Sequence, residues 1–327
     1  MKPSSGREAL LPAAEAVPVG QPVVGQALPP QAPRSPAEMY RDPVHAADGY
    51  WASALDAAPN LVLRERTYLS QMCFAACEKK MSYSAGSLQD QPPGQHLKDE
   101  DLLRLLAPGN FEIREESSCL CRYCLHQMRE AKLGYFAPRT VPAHAAGDGL
   151  WEGGLAGFGW PEGEQPGLVF ERPFKCTLCC CCCLLNPQEM RTLDGGQPIG
   201  GTVMEWECCM ALCPYKRFAV HDARGEKEFE VHVPLLCADG CRNCCAPTCF
   251  NPVFHMPLTT AGSKEPVGSL ENHWPGCNCR GLCSAGMANN NYVVRFPPQA
   301  TAAQKARILS ALHLVDFLWF ERRANQK

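Results

Sequence analysis

The residues best suited to do chemistry in this chain are cysteines. Cys176 is followed by Cys179, Cys180, Cys181, Cys182 and Cys183, with Leu178, Leu184 and Leu185 beside them. Neighbouring side chains on extended backbone point to opposite sides, so the five adjacent thiols cannot all ligate one tetrahedral zinc. Nor do neighbours readily bridge each other, because Cα atoms one residue apart are about 3.8 Å from one another and disulfides usually need more than about 4.4 Å. The chemistry that fits is multiple S-acylation. One acyl chain gives marginal, reversible membrane affinity, and two or more give stable attachment, at about 0.8 kcal/mol per buried methylene. Small buried residues or incidental thiols are the plainer alternative. Elsewhere, Cys119-x-Cys121-x-x-Cys124, Cys237-x3-Cys241-x-x-Cys244-Cys245-x3-Cys249 and Cys277-x-Cys279-x3-Cys283 have ligand-like intervals. None forms a standard pair of CxxC knuckles, so a structural zinc stays open as a cofactor without being required.

Twenty-two cysteines in 327 residues would suit a secreted disulfide scaffold, a metal protein or a lipidated one. The opening stretch from Met1 to Gly20 has no continuous apolar run behind Lys2, so no secretory signal is read and the reducing cytosol is the expected compartment. A formal charge of −3, with no long run of Lys or Arg, argues against nucleic acid as a partner and against purely electrostatic docking on anionic lipid. There is no GxSxG, HExxH or P-loop, so no enzyme is expected.

The elements that must position these thiols are mostly strands. Residues 1–36 are Pro, Ala, Gly, Gln and Val without periodicity and read as a disordered tail; Pro30 and Pro33 make a PxxP pattern for an SH3-type partner, against the plainer reading of a linker. Residues 37–107 read as a poorly defined, partly helical lead-in, with Tyr68 to Lys80 open to a helix. A short helix is expected from Leu97 to Leu106, its first turn carrying Asp99, Glu100 and Asp101, acids that suit a helix N-terminus better than a calcium loop. From residue 108 the rhythm becomes period two, as in Phe111-Glu112-Ile113, Leu168-Val169-Phe170 and Tyr292 to Phe296. Phe218 to Val220 and Phe229 to Leu235 flank Asp222-Ala223-Arg224-Gly225 and read as a hairpin. About ten such strands and no comparable helix among them mean a mainly antiparallel sheet or barrel over residues 108–323, with a Gly-rich insertion loop at 141–167.

The C-terminus breaks this pattern. Thr301-Ala302-Ala303-Gln304 fits a capping box, and a helix over residues 302–321 follows. From Ile308 to Phe320 only Ser310, His313 and Asp316 interrupt an otherwise apolar circumference that includes Leu312, Val315 and Phe317. Thirteen residues span about 20 Å against about 30 Å of hydrocarbon, and an aspartate is costly in lipid, so the helix is expected inside a β-barrel and not across a bilayer. His313 is expected to be a satisfied core residue.

Four blocks resemble the phospholipid scramblase family: Glu171-Arg172-Pro173-Phe174-Lys175-Cys176 leading into the cysteine cluster, Pro198-Ile199-Gly200, Val267-Gly268 through His273-Trp274, and Arg295-Phe296-Pro297 followed by Val315-Asp316-Phe317-x-x-Phe320-Glu321. The resemblance covers most of residues 168–321, with a weaker echo from Tyr68 through Cys124. It implies a tubby-like β-barrel around a C-terminal hydrophobic helix, palmitoylation at Cys179 to Cys183, and calcium-stimulated movement of phospholipids between leaflets. It further implies membrane phospholipids as partners and a place on the cytoplasmic face of the plasma membrane; one short helix cannot line a polar path alone, so scrambling would require self-association or local thinning of the bilayer. The alternative from another class is an acylated, membrane-tethered module that binds lipid or protein without scrambling. The family's calcium segment is carboxylate-rich, whereas the matching stretch here is Ala288-Asn289-Asn290-Asn291-Tyr292 with Gln299 beyond it. Calcium takes six to eight hard oxygens and draws affinity from charged ones, so this degenerate segment is not expected to be a metal site. Glu271 and Asn272 likewise stand where the family carries a basic nuclear-import stretch.

Overall fold

The computed structural model describes residues 49–66, 80–89, 91–106, 111–118, 129–137, 160, 163–175, 187–205, 215–234, 242–278 and 290–320. A helix α1 (Tyr50–Ala57) leads into β1 (Asn60–Glu65) and β2 (Ser82–Leu88), then a helix α2 (Asp99–Leu106). Strands follow in order: β3 (Phe111–Glu116), β4 (Ala131–Phe136), β5 (Leu168–Arg172), β6 (Glu189–Asp194), β7 (Gln197–Glu205) and β8 (Tyr215–Asp222). The last are β9 (Lys227–Pro234), β10 (Val253–Thr260), β11 (Pro266–His273) and β12 (Asn291–Arg295), before helix α3 (Ala302–Val315) and a π-helical turn (Asp316–Phe320).

Each strand pairs antiparallel with its sequence neighbours, and β1 closes on β12 through Leu61 opposite Val294 and Leu63 opposite Tyr292. The closed barrel has no edge strand to protect. The expected hairpin is present, Phe218 facing Val231 and Val220 facing Phe229 across the turn that follows Asp222. Inward residues such as Leu63, Phe170, Phe218, Val231 and Leu258 form one core with Ile308, Leu312, Val315, Phe317 and Phe320 of the C-terminal helix. The helix is thus enclosed, and among the described residues no helix is long and apolar enough to cross a membrane.

The barrel begins earlier than residue 108, because β1 and β2 come from the stretch read as an ill-defined lead-in. The physical reason is that β1 is buried on both faces: Leu61 and Leu63 face the lumen, while Val62 joins Val293, Leu88, Leu97 and Leu102 under α2, which lies on the outer wall. A strand covered on both sides has no period-two signal. Gly86 allows this cover to sit close, since a Cβ there would come within 2.9 Å of the Leu105 carbonyl oxygen. Asp99 does more than favour a helix start. It is buried and holds Arg64 of β1, with Nε 2.9 Å and Nη2 3.2 Å from its two oxygens. Tyr68 to Lys79, the tail, most of the 141–167 loop and Glu321 lie outside the described residues.

The capping box is formed: the Gln304 amide N–H donates to Thr301 Oγ1 at 3.3 Å, and the Thr301 N–H donates to Gln304 Oε1 at 3.1 Å. Thr301→Ala is expected to lower stability by about 1 kcal/mol. The check is a lower urea midpoint with an unchanged slope.

Candidate functional site

Antiparallel order sends β12 away from Asn290, so α3 starts at the far end of the barrel and runs back through the lumen toward it. Two cations, Lys305 and Arg307, are buried at the start of the helix and are satisfied there. Lys305 Nζ donates to the carbonyls of Leu55 (2.8 Å) and Ala58 (2.9 Å). The Arg307 guanidinium pairs with Glu228 at 2.8 Å and donates to the Ile199 carbonyl at 3.0 Å. Gly200 makes room for it: φ is +128°, and a Cβ would collide with the His221 carbonyl and Arg307 Cδ.

The polar stripe of the helix is the key that fixes its depth. Ser310 Oγ lies 2.6 Å from Thr202 Oγ1 on β7. One turn on, the Tyr135 hydroxyl of β4 sits 2.7 Å from His313 Nε2, and the imidazole is walled by Tyr83 and Phe170. Burial pushes the His313 pKa down to about 3, so the ring is neutral. Another turn on, Asp316 accepts hydrogen bonds from the hydroxyls of Tyr83 and Tyr292 and from Asn290 Nδ2 at 3.1 Å. Burial and the nearby Asp316 and Glu65 carboxylates raise the Tyr83 pKa well above its ordinary value, which keeps the phenol protonated as a donor. An apolar helix could slide or rotate by one residue at small cost; three buried polar groups with fixed partners cannot, because each unmet group costs about 1–3 kcal/mol. Where the helix ends, Phe317 lies against two guanidinium groups, Arg129 at 5.0 Å and Arg172 at 5.3 Å from the ring centre. Arg129 pairs with buried Glu115 at 3.2 Å, and Arg172 donates to the Arg129 carbonyl and to Gln188.

The outer wall carries a second buried cluster. Glu271 on β11 meets Arg295 Nε at 3.2 Å and His273 Nε2 at 3.1 Å, and it accepts from the Gly94 N–H and Ser269 Oγ. Burial opposes its charge, but the His273 hydrogen bond and the Arg295 guanidinium prevail and hold its pKa at about 2. The Leu97 N–H donates to His273 Nδ1 at 3.1 Å, so His273 is neutral with its proton on Nε2, in line with a pKa lowered by burial. Glu271 is therefore an architectural anion.

The predicted site residues separate. Ile308, Leu312, Val315, Asp316, Phe317 and Phe320 are all buried in the lumen. Cys179 to Cys183, Ala288 and Asn289 lie outside the described residues. Of the degenerate calcium segment, Asn290 is engaged with Asp316, Asn291 faces Asp99 on the outer wall, and exposed Gln299 lies beyond the other end of β12. These three do not converge on one point. Among the described residues no cluster of three or more His, Cys, Asp or Glu could hold a metal ion. Sequence reasoning missed the tyrosines that hold Asp316 and the arginines that hold Phe317. The regular spacing of Ser310, His313 and Asp316 was the only signal, and it names one side of each pair.

Residues 164–322 match the Scramblase family model. Curated relatives include human phospholipid scramblase 1, 25% identical over 163 residues, which are 50% of this chain and 45% of the relative. Bovine phospholipid scramblase 2 is 27% identical over 47% of this chain and 46% of its own length, and human phospholipid scramblase 4 is 28% identical over 49% and 43%. The chain thus spans about half the length of the curated relatives it matches. No solved structure matches. The matched stretch supplies β5 to β12 and the helix they surround, so that over residues 164–322 this chain is similar to the Scramblase family.

Proposed function

We propose that the chain is a phospholipid scramblase-like protein that sits on the cytoplasmic face of a membrane and moves phospholipids between leaflets. The observation that carries the reading is the scramblase-family domain with its hydrophobic helix keyed into the barrel by Ser310, His313 and Asp316. Scrambling makes and breaks no covalent bond; it lowers the barrier that hydrocarbon sets against a polar headgroup. Because the helix is occupied with the barrel lumen, attachment falls to acyl chains on Cys179 to Cys183. A barrel held at the surface acts on the bilayer by thinning or disordering it locally, and several copies together do so over a wider patch. The plasma membrane fits a polyacylated cytosolic protein, and the Pro-rich tail offers an SH3-type partner a PxxP ligand.

Calcium control is not part of this proposal. Asn290 and Asn291 bring no charge to the segment, and calcium draws its affinity from charged oxygens. The test is reconstitution of the purified, acylated chain into vesicles carrying a headgroup-labelled phospholipid, with a membrane-impermeant quencher outside. Labelled lipid from the inner leaflet is expected to become quenchable at the same rate with calcium and with a chelator. Binding to the vesicles without exchange would overturn scrambling in favour of a tethered binding module.

A further inference from the structure

Every cysteine of this chain falls, in sequence, within a connection that leaves and returns at one end of the barrel. Strands alternate in direction, so the connections β1–β2, β3–β4, β5–β6, β7–β8, β9–β10 and β11–β12 all leave and return at the same end. Two cysteines fall in the first of these connections, three in the second, six in the third, three in the fourth, five in the fifth and three in the sixth, which accounts for all 22. No described strand or helix and no connection at the other end contains one. The tight turns at that other end, at 195–196, 223–226 and 261–265, are built from Gly, Ala, Ser, Lys, Arg and Glu.

The described part of the cysteine end has the chemistry of a membrane contact. Cys244, Cys245, Cys249 and Cys277 are exposed thiols. Phe250 is 91% exposed and Phe174, where β5 leads into the acylation cluster, is 50% exposed; no other large hydrophobic among the described residues exceeds Tyr50, at 49% on α1. Phe250 does not hang on slack chain. Asn243 exchanges two hydrogen bonds of 2.7 Å with the backbone of His255 at the start of β10. Asn251 Nδ2 donates to the carbonyls of Arg242 (2.7 Å) and Cys244 (3.0 Å), which closes the loop on itself. A braced loop that holds a phenyl ring and three thiols in water is unfavourable unless an apolar phase receives them. Trp319, half-buried at the end of the lumen helix with Lys216 4.9 Å from its ring, adds an aromatic and cation pair of the kind that sits at headgroup depth.

We infer that residues 242–251 form a second membrane contact, with Phe250 inserted at the bilayer interface and Cys244, Cys245 and Cys249 as further S-acylation sites. Together with the β5–β6 connection this stands the barrel on its cysteine end. The β5–β6 and β9–β10 connections are four strands apart on a ring of twelve, so contacts at both fix the tilt of the barrel where a single acylated loop leaves it swinging. In each acylation an acyl-CoA thioester carbonyl is attacked by a cysteine thiolate; the new protein thioester forms, coenzyme A leaves as its thiol, and no redox change occurs. The inference rests on the membrane attachment proposed above, and the experiment separates the two.

The full-length chain is expressed in acylating cells as parent and with Cys179 to Cys183 changed to Ser, and thioesters are mapped by mass spectrometry with and without hydroxylamine. Hydroxylamine-sensitive acyl groups are expected on the peptide holding Cys244, Cys245 and Cys249 in both proteins. In parallel, the acylated parent on phosphatidylcholine/phosphatidylserine vesicles is followed by hydrogen exchange. Amides of residues 242–251 are expected to slow tenfold or more relative to the unbound protein, while those of 223–226 and 261–265 keep their rates. Phe250→Ser, a change at an exposed position, is expected to remove most of that protection without altering the barrel amides. A parent that is firmly attached but shows neither acyl groups nor protection at 242–251 overturns this inference and leaves the tether at Cys179 to Cys183 standing. Protection equal at both ends overturns it as well. A parent carrying no acyl group anywhere and floating with no vesicles removes both readings together.

Discussion

Changing Cys179, Cys180, Cys181, Cys182 and Cys183 to serine is expected to lower the membrane partition coefficient of the chain roughly a hundredfold. The size follows from the steepness of multiple acylation. A single acyl chain leaves a protein with an association constant of only about 10⁴ M⁻¹, so attachment at the lipid concentrations of a flotation assay requires more than one. Serine keeps the size of the side chain and removes the thioester chemistry. The strands and helix that build the described core are unchanged in this variant, so the far-UV circular dichroism and the thermal midpoint are expected to stay those of the parent. Residual attachment is expected through the β9–β10 loop and is lost when Cys244, Cys245 and Cys249 are changed as well. If the five-serine protein floats as firmly as the parent even with those three also replaced, acylation is not what holds this chain to a membrane.

The second large effect is one of pH. His313 is neutral in the folded lumen with a pKa of about 3, and it returns to about 6.5 when the chain unfolds. The folded value lies below the unfolded one, so between these limits the unfolded state binds more protons and stability falls as pH is lowered. The slope is about 1.4 kcal/mol per pH unit, or between 2 and 3 kcal/mol from ~6.5 to ~4.5. Tyr83, Tyr135 and Phe170 surround the ring and none supplies a negative charge; Asp316, one turn along the helix, is bonded instead to Tyr83, Tyr292 and Asn290. His273, also buried and also lowered, contributes in the same direction. Glu271 acts in a lower window, where its stabilisation is complete above about 4.5 and is lost as pH falls through its folded value of about 2. His313→Phe fills the site, and whatever it does to stability at neutral pH it is expected to flatten the dependence between pH 6.5 and 4.5 by one proton's slope. Urea denaturation of both proteins at pH 7.0, 5.5 and 4.5 checks this, and parallel curves for the two would show that the buried imidazole is not the titrating group.

These two effects sit at the two places where the chain departs from an ordinary β-barrel. A lumen filled by a helix needs polar groups to set its depth, and those groups bring a buried histidine and a buried aspartate with them. A barrel whose cysteines all fall in the connections of one end has two chemically different sets of connections, although nothing in its charge of −3 distinguishes them.

The amino-acid sequence determined by itself what local rules can carry. Alternation at Phe229, Val231 and Val233 fixed a strand, the polar residues after Asp222 fixed its hairpin, and Thr301 with Gln304 fixed the helix start to the residue. Helix length against bilayer thickness placed the helix in protein. The tertiary structure decided everything that depends on meeting a distant partner. β1 and β2 are strands because the barrel needs them and α2 covers them, which erases the alternation that would have shown them. Asp316 and His313 read in isolation as costs, and only the approach of Tyr83, Tyr292 and Tyr135 from other strands makes them anchors. The placing of the cysteines between strands is visible as spacing, but spacing has no direction until antiparallel strands give each connection an end.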